Sequence, residues 1–145
     1  MRAVLQRVNS AQVIEGERVV GKIGSGLLVF LGVSREDSRQ DADYLVEKSI
    51  HLRIFEDKEG KMNLSLLDTA GAMLVVSQFT LLADCRKGRR PSFIKAAPPE
   101  DANRLYKSFA DFVRDKGVDV KTGRFQTMMA ISLINDGPVT IVIES

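Results

Sequence analysis

Apolar positions recur along this chain in two rhythms. Over residues 38–51, Ala42, Leu45, Val46, Ser49 and Ile50 fall three or four apart, the spacing that gathers side chains on one face of an α-helix. Ser38 and Asp41 stand in the S-x-x-D relation of a capping box at its start. A second stripe, Ala102, Leu105, Tyr106, Phe109, Phe112 and Val113, predicts a helix over 99–116. Pro99, Glu100 and Asp101 suit its first turn, where the missing proline N–H costs nothing and the helix dipole favours carboxylates. Lys116-Gly117 suits its end.

The other rhythm is that of strands. "MRAVLQRV" reads as a first strand, and "AQVIEGERVVGKI" as a hairpin turning near Glu15-Gly16. "GLLVFLGV" (26–33) and "AMLVVSQF" (72–79) are continuous apolar runs, expected to be strands buried on both faces. "RIF" predicts a short strand, "EDKEGKMN" a charged turn, and "VDVKTG" a further strand. "QTMMAISLI" (126–134) and "VTIVI" (139–143) alternate on either side of Asn135-Asp136-Gly137, so a hairpin corner is expected there. Pro138 then falls where a pairing strand should begin, which local propensity does not explain. Long strand runs with two separate helices predict an α+β fold, largely antiparallel, with the helices packed on the sheet. With no repeat, low-complexity tract or linker, residues 1–145 read as one domain.

Composition narrows the chemistry. The hydrophobic fraction is 44% and the charged fraction 28%, an ordinary balance for a soluble globular chain. A net charge of +2 means that any nucleic-acid contact must come from a local patch. No apolar run is long enough to span a bilayer, and "MRAVLQRV" lacks a signal-peptide h-region, so no membrane is expected and the cytoplasm is the default compartment. A single cysteine, Cys85, and a single histidine, His51, exclude an internal disulfide and argue against a Cys/His metal site. His51 sits at a helix end beside Ile50 and Leu52 and reads as structural. Cys85 reads as a free packed cysteine, although Arg86 and Lys87 beside it favour the thiolate.

Two stretches carry candidate chemistry. In "SQFTL" (77–81) a buried apolar strand ends in Ser77, Gln78, Phe79 and Thr80. Polar groups at such an end must find partners or face a cleft. Hydroxyls, an amide and free backbone N–H groups are what a developing oxyanion needs, whereas Thr80 without a base is a poor nucleophile. The bland alternative is a simple strand end. "CRKGRRPSF" (85–93) holds Arg86, Lys87, Arg89 and Arg90 around Gly88, a pattern that suits phosphate and equally suits a solvated loop.

Taken together, "MRAVLQRV", "GLLVFLGV", "LRIFEDKEGKMN", "VVSQFTLLAD", "KGRRPSF", "TGRF" and "NDGPVTIVI" resemble the D-aminoacyl-tRNA deacylases over essentially the whole chain. The resemblance implies a barrel-like α+β homodimer that hydrolyses the ester between a D-amino acid and the 3′ end of tRNA, without metal or cofactor and without DNA as a partner. It implies glycyl-tRNA as a further substrate. It implies a cis peptide bond at Gly137-Pro138 that reaches into the partner's site and rejects L-amino acids. Ser77 to Leu81 would form the other wall, Arg7 would hold the Gly-Pro loop, and Phe125 and Met129 would bind substrate. The family pattern commonly has glycine and alanine where this chain has Gln126 and Thr127. A non-catalytic dimer that binds the tRNA 3′ end is the alternative.

Overall fold

The computed structural model describes residues Met1–Ser145. Eight strands and two helices follow one another as β1 (Arg2–Glu15), β2 (Arg18–Ile23), β3 (Gly26–Gly32), α1 (Arg39–His51), β4 (Phe55–Glu56), β5 (Met62–Leu64), β6 (Ala72–Ser77), α2 (Pro99–Asp115), β7 (Val120–Thr122) and β8 (Ala130–Glu144). A one-turn 3₁₀ helix, Phe79–Leu82, directly follows β6. The capping box forms at α1: the Asp41 carboxylate accepts the N–H and the hydroxyl of Ser38, each at 2.7 Å. Those bonds draw the Asp41 pKa down to about 2.

β1 organises the main sheet. One edge pairs antiparallel with β3 over Arg2–Val8 and then with β2 over Ala11–Glu15; the other edge pairs antiparallel with β8. Beyond β3 the sheet continues to β6 and β7. The fold is largely antiparallel, as expected, through the pairs of β1 with β2, β3 and β8, but β3–β6 and β6–β7 are parallel. The physical reason lies in the connections: α1 is carried on the first crossover and α2 on the second, and a helix crossover returns the chain in the same direction. β2 curls over to meet β6 and β7, so the sheet nearly closes into a barrel.

Two apolar layers result. The larger packs Leu5, Leu27, Val29 and Val75 of the sheet against Leu45 and Ile50 of α1 and Leu105 and Phe109 of α2. The smaller fills the barrel interior with Val8, Ala11, Val13, Ile23, Leu28, Leu74 and Val76. β3 and β6 contribute to both layers, which is why their sequences are unbroken apolar runs.

The expected hairpin at Asn135-Asp136-Gly137 does not form. β8 is one strand of 15 residues running antiparallel to β1 throughout. Val8 faces Asn135 and Gln6 faces Thr140, so residues 136–139 stand opposite the single residue Arg7 and are thrown out as a wide bulge. The turn-forming residues are used to leave and re-enter one strand, not to reverse it.

Candidate active site

The end of β6 meets the loop before β8 at a cavity of about 660 Å³. Ser77, Gln78 and Phe79 form one side, and Phe125, Thr127 and Met129 another. Ala96, Ala97 and Ala102, from the start of α2 and the segment before it, complete an apolar wall. The residues are brought there by the parallel pairing: β6 ends where β3 ends, and the Gln78 N–H donates to the Leu31 carbonyl at 2.8 Å. The chain then tightens into the 3₁₀ turn, leaving Phe79 54% exposed at the rim.

This turn settles what its polar groups can do. Phe79 and Thr80 open the turn, so their N–H groups have no intrahelical acceptor, and no loop or cap carbonyl takes them. The Gln78 amide donates to the Thr80 hydroxyl oxygen. That bond uses one of the oxygen's two lone pairs, and its own proton is free to be donated. Thr80 does not line the cavity. No histidine, cysteine or carboxylate is among the lining residues.

The opposite wall is held by packing. A Cβ on Gly123 would lie 3.0 Å from the Met129 Sδ, so a side chain there would make the flexible thioether give way by a few tenths of an ångström. The Arg124 N–H donates to the same sulfur at 3.3 Å, and the Thr127 hydroxyl donates to the Arg124 carbonyl at 3.2 Å. Gln126, where the family pattern has glycine, takes a left-handed backbone with φ 58°. Beneath this loop Tyr106 is buried in α2. Its hydroxyl donates to the Val75 carbonyl at 2.9 Å and lies 3.3 Å from the Gly123 carbonyl, joining β6 to the loop. Burial pushes the Tyr106 hydroxyl up to about 12. The sequence pattern assigns Tyr106 only to an apolar stripe; nothing in helical spacing distinguishes a tyrosine that staples two walls.

Gly137 and Pro138 lie elsewhere. The bond between them is cis, Gly137 has φ 115°, and both residues are exposed and outside their own chain's cavity. Under the bulge sits Arg7, 3% exposed. Its Nη1 donates to the Ile54 carbonyl at 2.6 Å, and Nη2 lies 3.8 Å from Glu56 Oε1. Its Nε is 2.9 Å from Asp136 Oδ2, but the N–H is not aimed at that oxygen, so the contact is an ion pair and not a directed hydrogen bond.

The remaining candidates stay apart from the cavity. Arg86, Lys87, Arg89 and Arg90 are exposed on the loop between Asp84 and Ser92. Cys85 is exposed there too, not packed as expected, because the loop closes on its own backbone and not over a core. His51 is exposed in the last turn of α1, with its ring nitrogen Nδ1 2.9 Å from the Glu47 carbonyl. No group of three or more His, Cys, Asp or Glu side chains is arranged to hold a metal, and no helix is long and apolar enough to cross a membrane.

A nearly closed mixed sheet in which β6 ends in a 3₁₀ turn at an apolar cavity defines the class of protein. The family model described as D-Tyr-tRNA(Tyr) deacylase matches residues 4–144, and the chain belongs to that family. It is 57% identical over its full length, and 97% of the relative's, to a D-aminoacyl-tRNA deacylase of Clostridioides difficile (strain 630). It is equally 57% identical to one of Thermus aquaticus, covering 95% of it. A solved structure described as a c-Myc DNA Unwinding Element Binding Protein superposes with a TM-score of 0.94 at 41% identity, over 100% of this chain and 99% of that one. A probable eukaryotic D-amino acid tRNA deacylase, 21% identical, shares the fold at a TM-score of 0.84, over 99% of this chain and 98% of that one.

Proposed function

We infer that this chain is a hydrolase that cleaves the ester joining a D-amino acid to the 3′ end of tRNA, acting in translation quality control in the cytoplasm. One observation carries the reading: the two segments Ser77–Phe79 and Phe125–Met129, distant in sequence and both within the matched residues 4–144, line one cavity. The full-length relatives named D-aminoacyl-tRNA deacylase support the reaction and the substrate.

The chemistry suits a site without His or Cys. An aminoacyl ester is activated, so positioning and oxyanion stabilisation supply most of what is needed. Water attacks the carbonyl carbon; the ester C–O bond breaks, and a proton passes to the departing ribose oxygen. The free N–H group of Phe79, at the cavity rim, receives the carbonyl oxygen as it becomes negative. The ribose 2′-hydroxyl beside the ester assists. Thr80 is not the nucleophile in this scheme, since it lies outside the cavity lining and no base is at hand.

Chirality is the task of Gly137-Pro138. The bulge is exposed and outside its own chain's cavity, so it acts on the cavity of a second copy in a homodimer, with the active site at the subunit interface. An exposed apolar face supports such pairing: Phe30, Val4 and Val142 are aligned across β3, β1 and β8, and Val142 is 58% exposed. The bulge backbone occupies the space that an L side chain needs and holds the substrate ammonium. Arg7 positions it from below, and Phe125 and Met129 receive the terminal nucleotide. Glycyl-tRNA, with no side chain to reject, is cleaved as well.

The test is incubation with D-Tyr-tRNA, L-Tyr-tRNA and a small ester. Release from the first alone is expected. Release from none would favour a non-catalytic binder of the tRNA 3′ end, and release from all three a generic esterase.

A further inference from the structure

The cavity does not account for the cations on the loop between Asp84 and Ser92. The loop is closed at its base by two backbone hydrogen bonds, from the Asp84 N–H to the Ser92 carbonyl at 2.8 Å and back from the Ser92 N–H at 3.0 Å. Gly88 takes φ 68° at its tip. Arg86 is spoken for: its Nε donates to Asp84 Oδ1 at 2.8 Å, and this pairing holds the Asp84 carboxyl well below the usual carboxylate range. Lys87, Arg89 and Arg90 are exposed and form no ion pair, and Lys95, just past the base, forms none either. Like charges crowded on one short stretch repel one another, and an anionic partner offsets that repulsion.

The loop is tied to the cavity. Phe93, beside Ser92, sets its ring edge-on against Phe79 with centroids 5.0 Å apart. Three residues further on, Ala96 and Ala97 form part of the cavity wall. Lys87 lies six residues before Phe93, so the tip is no more than about 20 Å along the chain from the rim.

We propose that Lys87, Arg89, Arg90 and Lys95 bind the phosphodiester backbone of the tRNA strand leading to the ester, so that this loop holds the RNA body while the cavity holds its aminoacylated end. The proposal rests on the deacylase reading. Arginine forks match phosphate oxygens, and glycine at the tip lets the backbone come close. Arg86, which composition alone groups with the others, is set apart because the Asp84 carboxylate already pairs with its charge.

The proposal is tested with a triple variant, Lys87→Gln/Arg89→Gln/Arg90→Gln, and with Arg86→Gln as control. Three measurements are made across a salt series: binding of uncharged tRNA by fluorescence anisotropy, hydrolysis of D-Tyr-tRNA, and hydrolysis of 3′-O-(D-tyrosyl)adenosine. The triple variant is expected to weaken tRNA binding at least about tenfold near 0.1 M salt. The slope of log K against log salt should fall by about 2, given roughly 0.7 per phosphate for single strands. KM for D-Tyr-tRNA rises with kcat retained, and the adenosine ester is cleaved as by wild type. Arg86→Gln stays within about twofold on all three. An unchanged tRNA affinity and slope, an equal loss on both esters, or an Arg86→Gln loss matching the triple variant overturns the proposal. If tRNA binding weakens as expected while wild type cleaves neither ester, the phosphate grip stands and the deacylase reading falls.

Discussion

Arg7 Nε lies 2.9 Å from Asp136 Oδ2, joining a buried guanidinium in β1 to the first residue of the β8 bulge. Arg7 is the one residue that β1 sets opposite residues 136–139. Its charge is buried, and its other carboxylate, Glu56, is 3.8 Å away. Asp136→Asn keeps the side-chain shape and removes the nearer charge. Because Asp136 is 41% exposed, solvent screens the pair, and a coupling of about 1 kcal/mol is expected in a double-mutant cycle with Arg7→Met. Urea unfolding of the four proteins measures it; additive effects of the two substitutions would show that the pair does not fix the bulge.

Tyr106 gives a prediction with a pH signature. Tyr106→Phe leaves the Val75 carbonyl bonded to the Gly123 N–H at 2.9 Å but removes a donor beside the Gly123 carbonyl. A loss of about 1–2 kcal/mol follows. The folded-state pKa is raised to about 12 by burial, above the unfolded value of 10. The fold thus favours the protonated phenol: its contribution is fully present below pH 10 and is lost as pH rises towards 12. Urea midpoints measured from pH 9 to 12 should fall more steeply for wild type than for Tyr106→Phe. Parallel curves would count against the burial.

The helices were legible almost to the residue, Arg39–His51 and Pro99–Asp115 against expected spans of 38–51 and 99–116. Their apolar stripes have the helical period, and their ends carry capping chemistry. Strand direction was legible only in part: the antiparallel pairing around β1 was expected, the two parallel pairs were not. The apolar runs of β3 and β6 announced burial on both faces, but periodicity has no sign for parallel pairing, and only the intervening helices hinted at it. At Asn135-Asp136-Gly137 local turn propensity lost to tertiary pairing with the 14-residue β1. Alternation gave no sign of it: Ile131 and Leu133 pack on the barrel-interior layer and Val139, Ile141 and Ile143 on the helix-side layer, so β8 changes face across the bulge. The Ser77–Phe79 wall could be read as a polar end on a buried strand, whereas the Tyr106 staple depends on which carbonyls lie within reach.

Gln126 marks a departure from the family pattern that the backbone makes costly. A left-handed φ of 58° suits glycine, and a side chain there costs about 1–2 kcal/mol, partly offset by the greater freedom of glycine when unfolded. Gln126→Gly is therefore expected to stabilise the protein by up to about 1 kcal/mol, read as a raised thermal midpoint. Gln126 lines the cavity, so KM should change with it while kcat is kept. A lower midpoint would mean that the glutamine side chain makes a contact outweighing its backbone cost.

Gly137 is the sharpest test of the bulge as a chiral filter. Its φ of 115° lies where L-residues are strained, and an added Cβ would meet Val139 Cγ2 at 2.8 Å and Arg7 Nη2 at 3.0 Å. Arg7 is buried and bonded to the Ile54 carbonyl, so it cannot swing aside without cost. The bulge itself must shift, with a stability loss of about 1–3 kcal/mol. Ser77–Phe79 and the Phe125–Met129 wall are remote from this shift within one chain, so the ester-cleaving groups remain in place. Gly137→Ala should therefore raise cleavage of L-Tyr-tRNA relative to D-Tyr-tRNA, with the D rate falling less than the ratio changes. Single-turnover rates on the two substrates decide it, alongside a urea curve showing that the variant is folded. If both rates fall together and their ratio holds, the bulge supports the site but does not select the hand of the substrate.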